Sequence, residues 1–283
     1  MTPKIIALDL DGTLLDSAKN LSARNRAALE KAATRGALIV PTTGRFFGMM
    51  PPCVRDLPFV RYAITINGAQ AYDRATESAI VREEIPLATA LALMETLDRY
   101  DVIYDCYRAN WGWMSAALQA KAKAYATDEH YLRMVLDFRN PVPDLKVHLR
   151  ETAAEGDVQK VMMFVRNDPA AGAADDLAAI RREVAEKFPD IVTTSSTWNN
   201  LEFNISTAHK GRALERLAQY LGLTLADCAA FGDGLNDLSM VEAAGLGVAM
   251  GNAVDEVKAV AKTIAPTNDE DGVAAVLEPL FQD

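Results

Sequence analysis

The chain has 283 residues, of which 50% are hydrophobic and 24% are charged, an ordinary balance for a globular protein. Its 29 Lys and Arg residues against 39 Asp and Glu residues give a formal net charge of −10. This acidity argues against a nucleic-acid backbone or an anionic membrane as the main partner, because both would be repelled at long range. A phosphorylated small molecule needs only local positive charge and remains allowed.

The cysteines and the apolar runs bear on where the protein works. Cys53, Cys106 and Cys228 lie far apart and predict neither a disulfide framework nor a zinc site. The first apolar run is too short for a signal peptide, and no run approaches the ~18 apolar residues of a membrane span. We therefore expect a cytoplasmic protein with reduced thiols. The sequence does not predict the oligomeric state.

The chain begins with a short strand that is followed by two acids. Ile5–Leu8 is an uninterrupted apolar run, which is typical of a strand buried on both faces of a parallel sheet. Asp9 and Asp11 follow it, so both fall at the carboxyl end of the strand, where ligands bind in open α/β sheets. A helix N-cap or a turn is the alternative role for these acids.

Two more predicted strands carry polar residues at their ends. After the strand Ala37–Val40, the Thr43 hydroxyl is placed to bond a phosphoryl oxygen, although a helix N-cap is an alternative role. A helix is expected over Phe46–Asp56 despite its two prolines. The strand Tyr62–Ile66 then leads into Asn67-Gly68, a pair that is typical of a plain hairpin turn.

The pattern of the sequence changes between about residues 84 and 200. Helical and strand-like patterns alternate there, with helices predicted over Pro86–Tyr100, Ala116–Leu136 and Ala170–Phe188 and a strand over Val158–Val165. This mixture predicts a small α+β domain inserted between residues 1–83 and 201–283, which together form the main domain.

The last third of the chain contains a lysine at a helix start and a second acid pair. Lys210 opens a predicted helix, whose N-terminal dipole favours negative charge, so a phosphate there would be held by both. A solvated surface lysine is the alternative. Asp233 and Asp237 follow the apolar run Ala229–Gly232 in a glycine-containing loop.

Both acid pairs follow predicted strands, and we expect them to meet in one cleft. Carboxylates in close contact repel by about 4 kcal/mol per pair at an effective dielectric of ~20, so four of them need a cation. With oxygen ligands, Mg²⁺ is the expected ion, which would keep some waters and add a substrate phosphate oxygen.

Six segments, in this order, resemble the haloacid dehalogenase superfamily of aspartate-nucleophile phosphatases, specifically its Cof-type branch (subfamily IIB) with a large α/β cap. They are DLDGTLLD at Asp9–Asp16, PTTGR at Pro41–Arg45, TINGA at Thr65–Ala69, HKG at His209–Gly211, GDGLND at Gly232–Asp237 and VAMGNA at Val248–Ala253. The first and fifth are highly specific together. The resemblance implies an α/β fold, with a Rossmann-like doubly wound parallel sheet as the core and residues 84–200 as an inserted α+β cap that sets substrate specificity.

The resemblance also implies a function, namely a Mg²⁺-dependent phosphatase of small phosphorylated metabolites such as sugar phosphates. Asp9 would be the nucleophile that carries an aspartyl phosphate, and Asp11 the general acid and base. Mg²⁺ would be bound by the Asp9 and Asp233 side chains and the Asp11 carbonyl, with Asp237 bound directly or through water.

The remaining matched residues would contact the substrate. The resemblance implies that Thr43 and Lys210 take the non-bridging phosphoryl oxygens. It also places Gly44, Arg45 and Asn67 at the substrate. Asn236 would lie there too, bracing Lys210 or capping the next helix.

Two other functions stay open at this stage. A phosphotransferase or phosphomutase would use the same site and move the phosphoryl group to an acceptor instead of water. A catalytically silent regulator that binds a phosphometabolite is the third reading, which the complete set of site residues argues against. Neither a P-loop nor a GxSxG elbow is present in the sequence.

In the inserted segment, four aromatic residues either line the site or form the cap core: Tyr104, Tyr107, Trp111 and Trp113.

Overall fold

The chain forms two compact units in a computed structural model, which describes residues 2–168 and 172–282. The core unit comprises Met1–Arg82 and Thr207–Asp283, and the inserted unit is Glu83–Ser206. The expected second boundary, at residue 201, is displaced by six residues. The strand Asn200–Ile205 pairs with two strands of the inserted unit, so its backbone hydrogen bonds keep it there.

The core unit is built on a parallel sheet that places the two acid loops side by side. Its strands are β1 (Ile5–Leu8), β2 (Leu38–Pro41), β12 (Cys228–Gly232), β13 (Leu246–Ala249) and β14 (Thr263–Ile264). The order is β14-β13-β12-β1-β2, with Leu8 beside Phe231. The chain leaves β1 toward β2 on one side, while β12 lies on the other. The strand order therefore switches direction at β1, where ligands bind in such sheets.

Helices of the core unit bury their apolar faces around this sheet. They are α1 (Ala23–Thr34), α2 (Pro52–Arg55), α8 (Lys210–Tyr220), α9 (Leu238–Ala243), α10 (Asp255–Val260) and α11 (Gly272–Leu280). The N-cap residue of α1 is Ser22, whose Oγ accepts a hydrogen bond from the Asn25 N–H at 3.0 Å. It packs against α11, while α8 packs against α9. The predicted α/β fold with a parallel core sheet is confirmed.

A smaller antiparallel sheet continues the core unit beyond β2. It consists of β3 (Tyr62–Thr65), β4 (Gln70–Asp73) and β5 (Ser78–Arg82), and Ile64 forms a parallel bridge with Thr42. The helix predicted over Phe46–Asp56 is wrong. A 3₁₀ turn at Phe47–Met49 and the short helix α2 replace it, because Pro51 and Pro52 interrupt the helical hydrogen bonds.

The inserted unit is a mixed sheet with helices packed on one hydrophobic cluster. Its strands, in the order β10-β11-β9-β6-β7-β8, are β6 (Val102–Arg108), β7 (Trp111–Ser115), β8 (Asn140–Val142), β9 (Lys160–Val165), β10 (Ile191–Thr194) and β11 (Asn200–Ile205). Its helices are α3 (Leu87–Leu97), α4 (Ala116–Gln119), α5 (Glu129–Phe138), α6 (Leu145–Glu151) and α7 (Ala173–Lys187). Alternate residues of β6, β9 and β11 bury their side chains in the cluster.

The long helix predicted over Ala116–Leu136 is also wrong. It is broken into α4, a 3₁₀ turn at Ala122–Ala124, and α5, whose N-cap residue is Asp128. The Asp128 carboxylate accepts a hydrogen bond from the Tyr131 N–H at 2.9 Å, an N-cap that begins a new helix. The first two residues of the helix predicted over Ala170–Phe188 lie outside the described residues. In the described ranges, no helix combines the length and apolar character that a bilayer span requires.

Candidate active site

The two acid loops meet at the carboxyl edge of the core sheet. The Asp9 N–H donates to the Phe231 carbonyl at 3.1 Å, which fixes the end of β1 against the end of β12. Carboxylate oxygens of Asp9, Asp233 and Asp237 lie within 4.8 Å of one another. The structure thus gathers three of the four acids singled out in the sequence.

Lys210 lies among these acids and is fully buried. Its Nζ is 2.6 Å from Asp9 Oδ1 and 2.5 Å from Asp237 Oδ1. Burial alone would lower the pKa of Lys210, but the Asp237 and Asp9 carboxylates raise it well above its usual value. Lys210 is therefore an ammonium ion that holds two carboxylates, and the alternative of a solvated surface lysine is wrong.

Two carboxyl groups of the cluster resist ionisation. Burial raises the pKa of Asp9 to about 8; the Lys210 ammonium opposes this shift, and the Asp237 and Asp233 carboxylates add to it. Burial also raises the pKa of Asp233, against a hydrogen bond from Thr13, with Asp237 adding to the rise. One lysine does not offset the negative charge of three acids, of which Asp9 and Asp237 are buried and Asp233 is partly buried, so the cluster favours a further cation.

Asp237 uses both of its oxygens within the core unit. Oδ2 accepts hydrogen bonds from the Asp233 and Gly234 N–H groups, both at 3.0 Å, while Oδ1 pairs with Lys210. It therefore orders the second acid loop and anchors the lysine. Asn236 does not have the bracing role expected of it, because its side chain is exposed and the partners of Lys210 are Asp9 and Asp237. Asp237, and not Asn236, stands at the N-cap of α9.

The carboxylate of Asp11 lies outside the cluster. It forms ion pairs with Arg45 at 2.8 Å and with Lys19 at 2.9 Å. Burial acts to raise the pKa of Asp11, but Arg45 and Lys19 lower it below its usual value, so the carboxyl is ionised, whereas the general acid expected at this position must be protonated. The Asp11 side chain leaves the cluster because the chain turns after β1, where the Leu14 N–H donates to the Asp9 carbonyl.

The loop after β2 lies against the turn after β3. Thr43 is buried, and its Oγ1 accepts a hydrogen bond from the Arg45 N–H at 3.3 Å. The Asn67 N–H donates to the Thr43 carbonyl at 3.1 Å, and Asn67 has a φ of 56°. A Cβ on Gly44 would lie 2.8 Å from Asn67 Oδ1. The segments PTTGR and TINGA are therefore packed together.

The same turn also lies against the start of α8. A Cβ on Gly68 would lie 2.4 Å from the His209 carbonyl oxygen, so only glycine allows this approach of two backbones. His209 is the N-cap of α8, and its Nδ1 accepts a hydrogen bond from the Arg212 N–H at 3.1 Å. This packing fixes the helix start from which Lys210 reaches the acids.

Two residues of the first acid loop hold Asp233 and were not singled out in the sequence. The Thr13 hydroxyl donates to Asp233 Oδ1 at 2.8 Å. Gly12 has a φ of +88°, and a Cβ there would lie 2.5 Å from Asp233 Oδ2. Both residues lie inside the segment DLDGTLLD, but their partner is more than 200 positions away, so no local pattern shows the contact.

The fold and this cluster define an α/β protein with a charged site at the carboxyl edge of a parallel sheet, and comparison with known proteins specifies the family. A family model described as haloacid dehalogenase-like hydrolase matches residues 6–277. The chain is 32% identical to "Phosphatase YwpJ" of Bacillus subtilis, over 98% of this chain and 100% of that protein. It is 29% identical to "5-amino-6-(5-phospho-D-ribitylamino)uracil phosphatase YcsE" of the same organism, over 97% of this chain and 94% of that one.

A solved structure has the same fold over the whole chain. A haloacid dehalogenase-like hydrolase from Bacteroides thetaiotaomicron matches with a TM-score of 0.80 and 28% identity, covering 99% of this chain and 100% of the other. The chain belongs to the haloacid dehalogenase-like hydrolase family. Its predicted assignment as a phosphatase of this superfamily is confirmed.

Proposed function

We propose that the protein is a Mg²⁺-dependent phosphatase that hydrolyses small phosphorylated metabolites through an aspartyl phosphate on Asp9. The observation that carries this proposal is the buried contact between Asp9 and Lys210 beside Asp233, at the switch point of a parallel sheet. A relative named for a phosphorylated ribitylaminouracil supports a substrate of small-metabolite size.

The acid cluster fits a hard divalent cation. Its donors are all oxygens. Burial raises the pKa of Asp9 and of Asp233 and neighbouring carboxylates add to the rise, so a bound cation would stabilise their ionised forms. Asp9 and Asp233 would hold Mg²⁺ together with the Asp11 carbonyl. Both oxygens of Asp237 already have partners, which supports a role in orienting bound water. Bound Mg²⁺ would neutralise charge on the transferring phosphoryl group.

The reaction on this chain would proceed in two displacements. An oxygen of Asp9 forms a bond to phosphorus while the bond between phosphorus and the leaving oxygen breaks. The leaving oxygen takes a proton. Water then attacks the phosphorus of the aspartyl phosphate, loses a proton and frees Asp9 and inorganic phosphate. Lys210 and Thr43 would contact the non-bridging oxygens.

Asp11 would supply and later accept the proton. In the structure its carboxyl is ionised by Arg45 and Lys19. For Asp11 to act as the general acid, these ion pairs must loosen when the phosphate of the substrate attracts Arg45, which would allow the carboxyl to take up a proton. Gly44 and Asn67 would then border the phosphate, and Asn236 would face it from the second acid loop.

We propose that the inserted unit selects the substrate. Of its four candidate aromatic residues, Tyr104 belongs to the hydrophobic cluster of the unit, and Trp113 packs against that cluster. The buried Tyr107 hydroxyl accepts a hydrogen bond from Arg139. Trp111 is 57% exposed, so it is the one of the four that is most available to a ligand.

Chelation of the cation is expected to abolish activity. In EDTA, release of phosphate from 4-nitrophenyl phosphate should fall by at least about 100-fold and return when Mg²⁺ is added in excess. EDTA already saturated with Mg²⁺ is the control for direct effects of the chelator. A second assay contains an alcohol acceptor and compares the amount of free phosphate with the amount of phosphorylated acceptor, which separates hydrolysis from phosphoryl transfer. Undiminished turnover in metal-free buffer would contradict the proposal.

Replacing Gly12 by Ala should impair catalysis beyond its effect on stability. The added methyl group would displace the Asp233 carboxylate, and misplacing a catalytic group by about 1 Å costs ~100-fold in turnover. Gly36→Ala is a matched control, since Gly36 also has a φ of +88° but has nothing within 4 Å of the added Cβ. Both variants should lose roughly 1–2 kcal/mol of unfolding free energy through backbone strain. Equal turnover of the two would contradict the role of Asp233.

A further inference from the structure

The segment VAMGNA, at Val248–Ala253, matches the family but has no part in the chemistry above. In the structure this segment and the residue after it bond to the backbone of the second acid loop. The Met250 N–H donates to the Gly232 carbonyl at 3.1 Å, and the Val254 N–H donates to the Asp233 carbonyl at 3.0 Å. The loop between β13 and α10 is thus fixed to the loop that carries Asp233.

The side chain of Asn252, in the middle of this segment, reaches the first acid loop. Its Nδ2 donates to the Gly12 carbonyl at 2.7 Å, and its Oδ1 accepts from the Asn268 N–H at 3.1 Å. The two partners determine the orientation of the amide, since a carbonyl only accepts and an N–H only donates. Asn268 in turn donates from its own side chain to the Leu15 carbonyl at 3.0 Å.

We propose that Asn252 is a positioning residue that sets the distance between the two acid loops, and therefore between Asp9 and Asp233. This inference rests on the proposed function, in which those two carboxylates hold the cation. The backbone bonds of the segment fix Asn252 to Asp233, and its amide then holds the Gly12 carbonyl.

The contact between Gly12 and Asp233 makes this distance critical. Gly12 lies so close to the Asp233 carboxylate that a shift of its backbone moves that carboxylate or opens a gap beside it. The adjacent hydrogen bond from Thr13 to Asp233 would lengthen with the same shift. Groups that orient metal ligands through hydrogen bonds typically contribute about 10-fold to 100-fold to metal affinity.

Two variants test the role of the amide. Asn252→Asp has nearly the same volume and keeps the acceptor for Asn268, but it replaces the donor to Gly12 with a carboxylate oxygen. Asn252→Ala removes both bonds. Ser17→Ala is the matched control. It removes a side-chain hydrogen bond in the same region, from Ser17 Oγ to Asp269 at 2.7 Å, and this bond involves neither Asp9 nor Asp233.

The measurements are the dissociation constant of Mg²⁺ by calorimetry and of Mn²⁺ by electron paramagnetic resonance, together with kcat and KM for 4-nitrophenyl phosphate. We expect both Asn252 variants to bind the cation about 10-fold more weakly than Ser17→Ala, with a lower kcat. The added negative charge of Asn252→Asp would by itself tighten cation binding, so weaker binding reports geometry. Melting temperatures in EDTA should be close to that of the control.

Cation binding and kcat equal to those of Ser17→Ala, in an enzyme whose wild type binds the cation, would overturn this inference and leave the proposed function standing. A wild type that binds no divalent cation would overturn the proposed function, and the inference with it. A variant that melts in EDTA far below the control, with kcat and cation affinity unchanged where it is folded, would show a purely structural role and would also overturn the inference.

Discussion

Asp9→Asn is expected to lower the turnover of 4-nitrophenyl phosphate by at least about 10⁴-fold while the fold stays intact. The amide has nearly the volume of the carboxyl group but is a far weaker nucleophile, so the first displacement fails. The fold should survive, because burial raises the pKa of Asp9 to about 8, so its charged form is already disfavoured, and the amide is neutral. Lys210 keeps its second partner, Asp237.

Activity and unfolding by urea, measured side by side, check this expectation. Asp56→Asn is a matched control, since Asp56 pairs with its neighbour Arg55 on the surface and lies outside the cluster. The control should keep wild-type turnover and unfold within about 1 kcal/mol of the wild type. Asp9→Asn should still unfold in one cooperative transition, since Lys210 keeps Asp237 as a partner. Turnover of Asp9→Asn close to that of the control would remove Asp9 from the role of nucleophile.

Lys210→Met should damage both stability and catalysis. The methionine fills most of the space of the lysine but leaves Asp9 and Asp237 buried without their shared cation. Breaking a buried ion pair by removing one partner typically costs about 3–5 kcal/mol. Turnover should fall by about 10³-fold, because a charge next to the phosphoryl oxygens is lost.

Urea unfolding in EDTA isolates the structural part of this effect. Lys4→Met is the control, because Lys4 pairs with Asp227 on the surface at 2.9 Å and such pairs contribute at most about 1 kcal/mol. Added Mg²⁺ should recover part of the stability of Lys210→Met, since it supplies positive charge to the same acids. If Lys210→Met were as stable in EDTA as Lys4→Met, the buried lysine would not be what holds the two carboxylates.

The features of the fold that the sequence predicted well are those that depend on local patterns. The apolar run at Ile5–Leu8 is a strand of the core sheet with the expected bounds, because a strand buried on both faces needs apolar side chains at every position. The Ser22 N-cap of α1 is a local feature of the same kind, since its hydroxyl accepts a hydrogen bond from an N–H three residues away. Family resemblance supplied the order of the distant motifs.

The errors arise where tertiary contacts override a local pattern. The helical periodicity of Ala116–Leu136 does not reveal the break between α4 and α5. Nor does an apolar run show which sheet it will join, so Leu201–Ile205 was assigned to the main domain, although its strand pairs with β9 and β10. Strand pairing is a long-range choice that short patterns do not encode.

The site was predictable in its residue types but not in its geometry. The sequence identified the acids and the lysine, yet the direction of the Asp11 side chain depends on the turn through Gly12 and on the pairing with Arg45. Thr13 and Asn252 bond partners 220 and 240 positions away. A single sequence carries no sign of such contacts, because either residue would also be ordinary in an exposed loop.

The most direct test of the central claim is to trap the phosphoryl group on the enzyme. Wild-type protein is quenched in acid during turnover of a radiolabelled substrate, and its peptides are mapped for the label. A second portion is reduced with borohydride, which converts an aspartyl phosphate to homoserine. We predict that the label lies on the peptide that contains Asp9 and that homoserine appears at position 9. Label on another residue, or steady turnover with no phosphoenzyme under any quench time, would contradict the account.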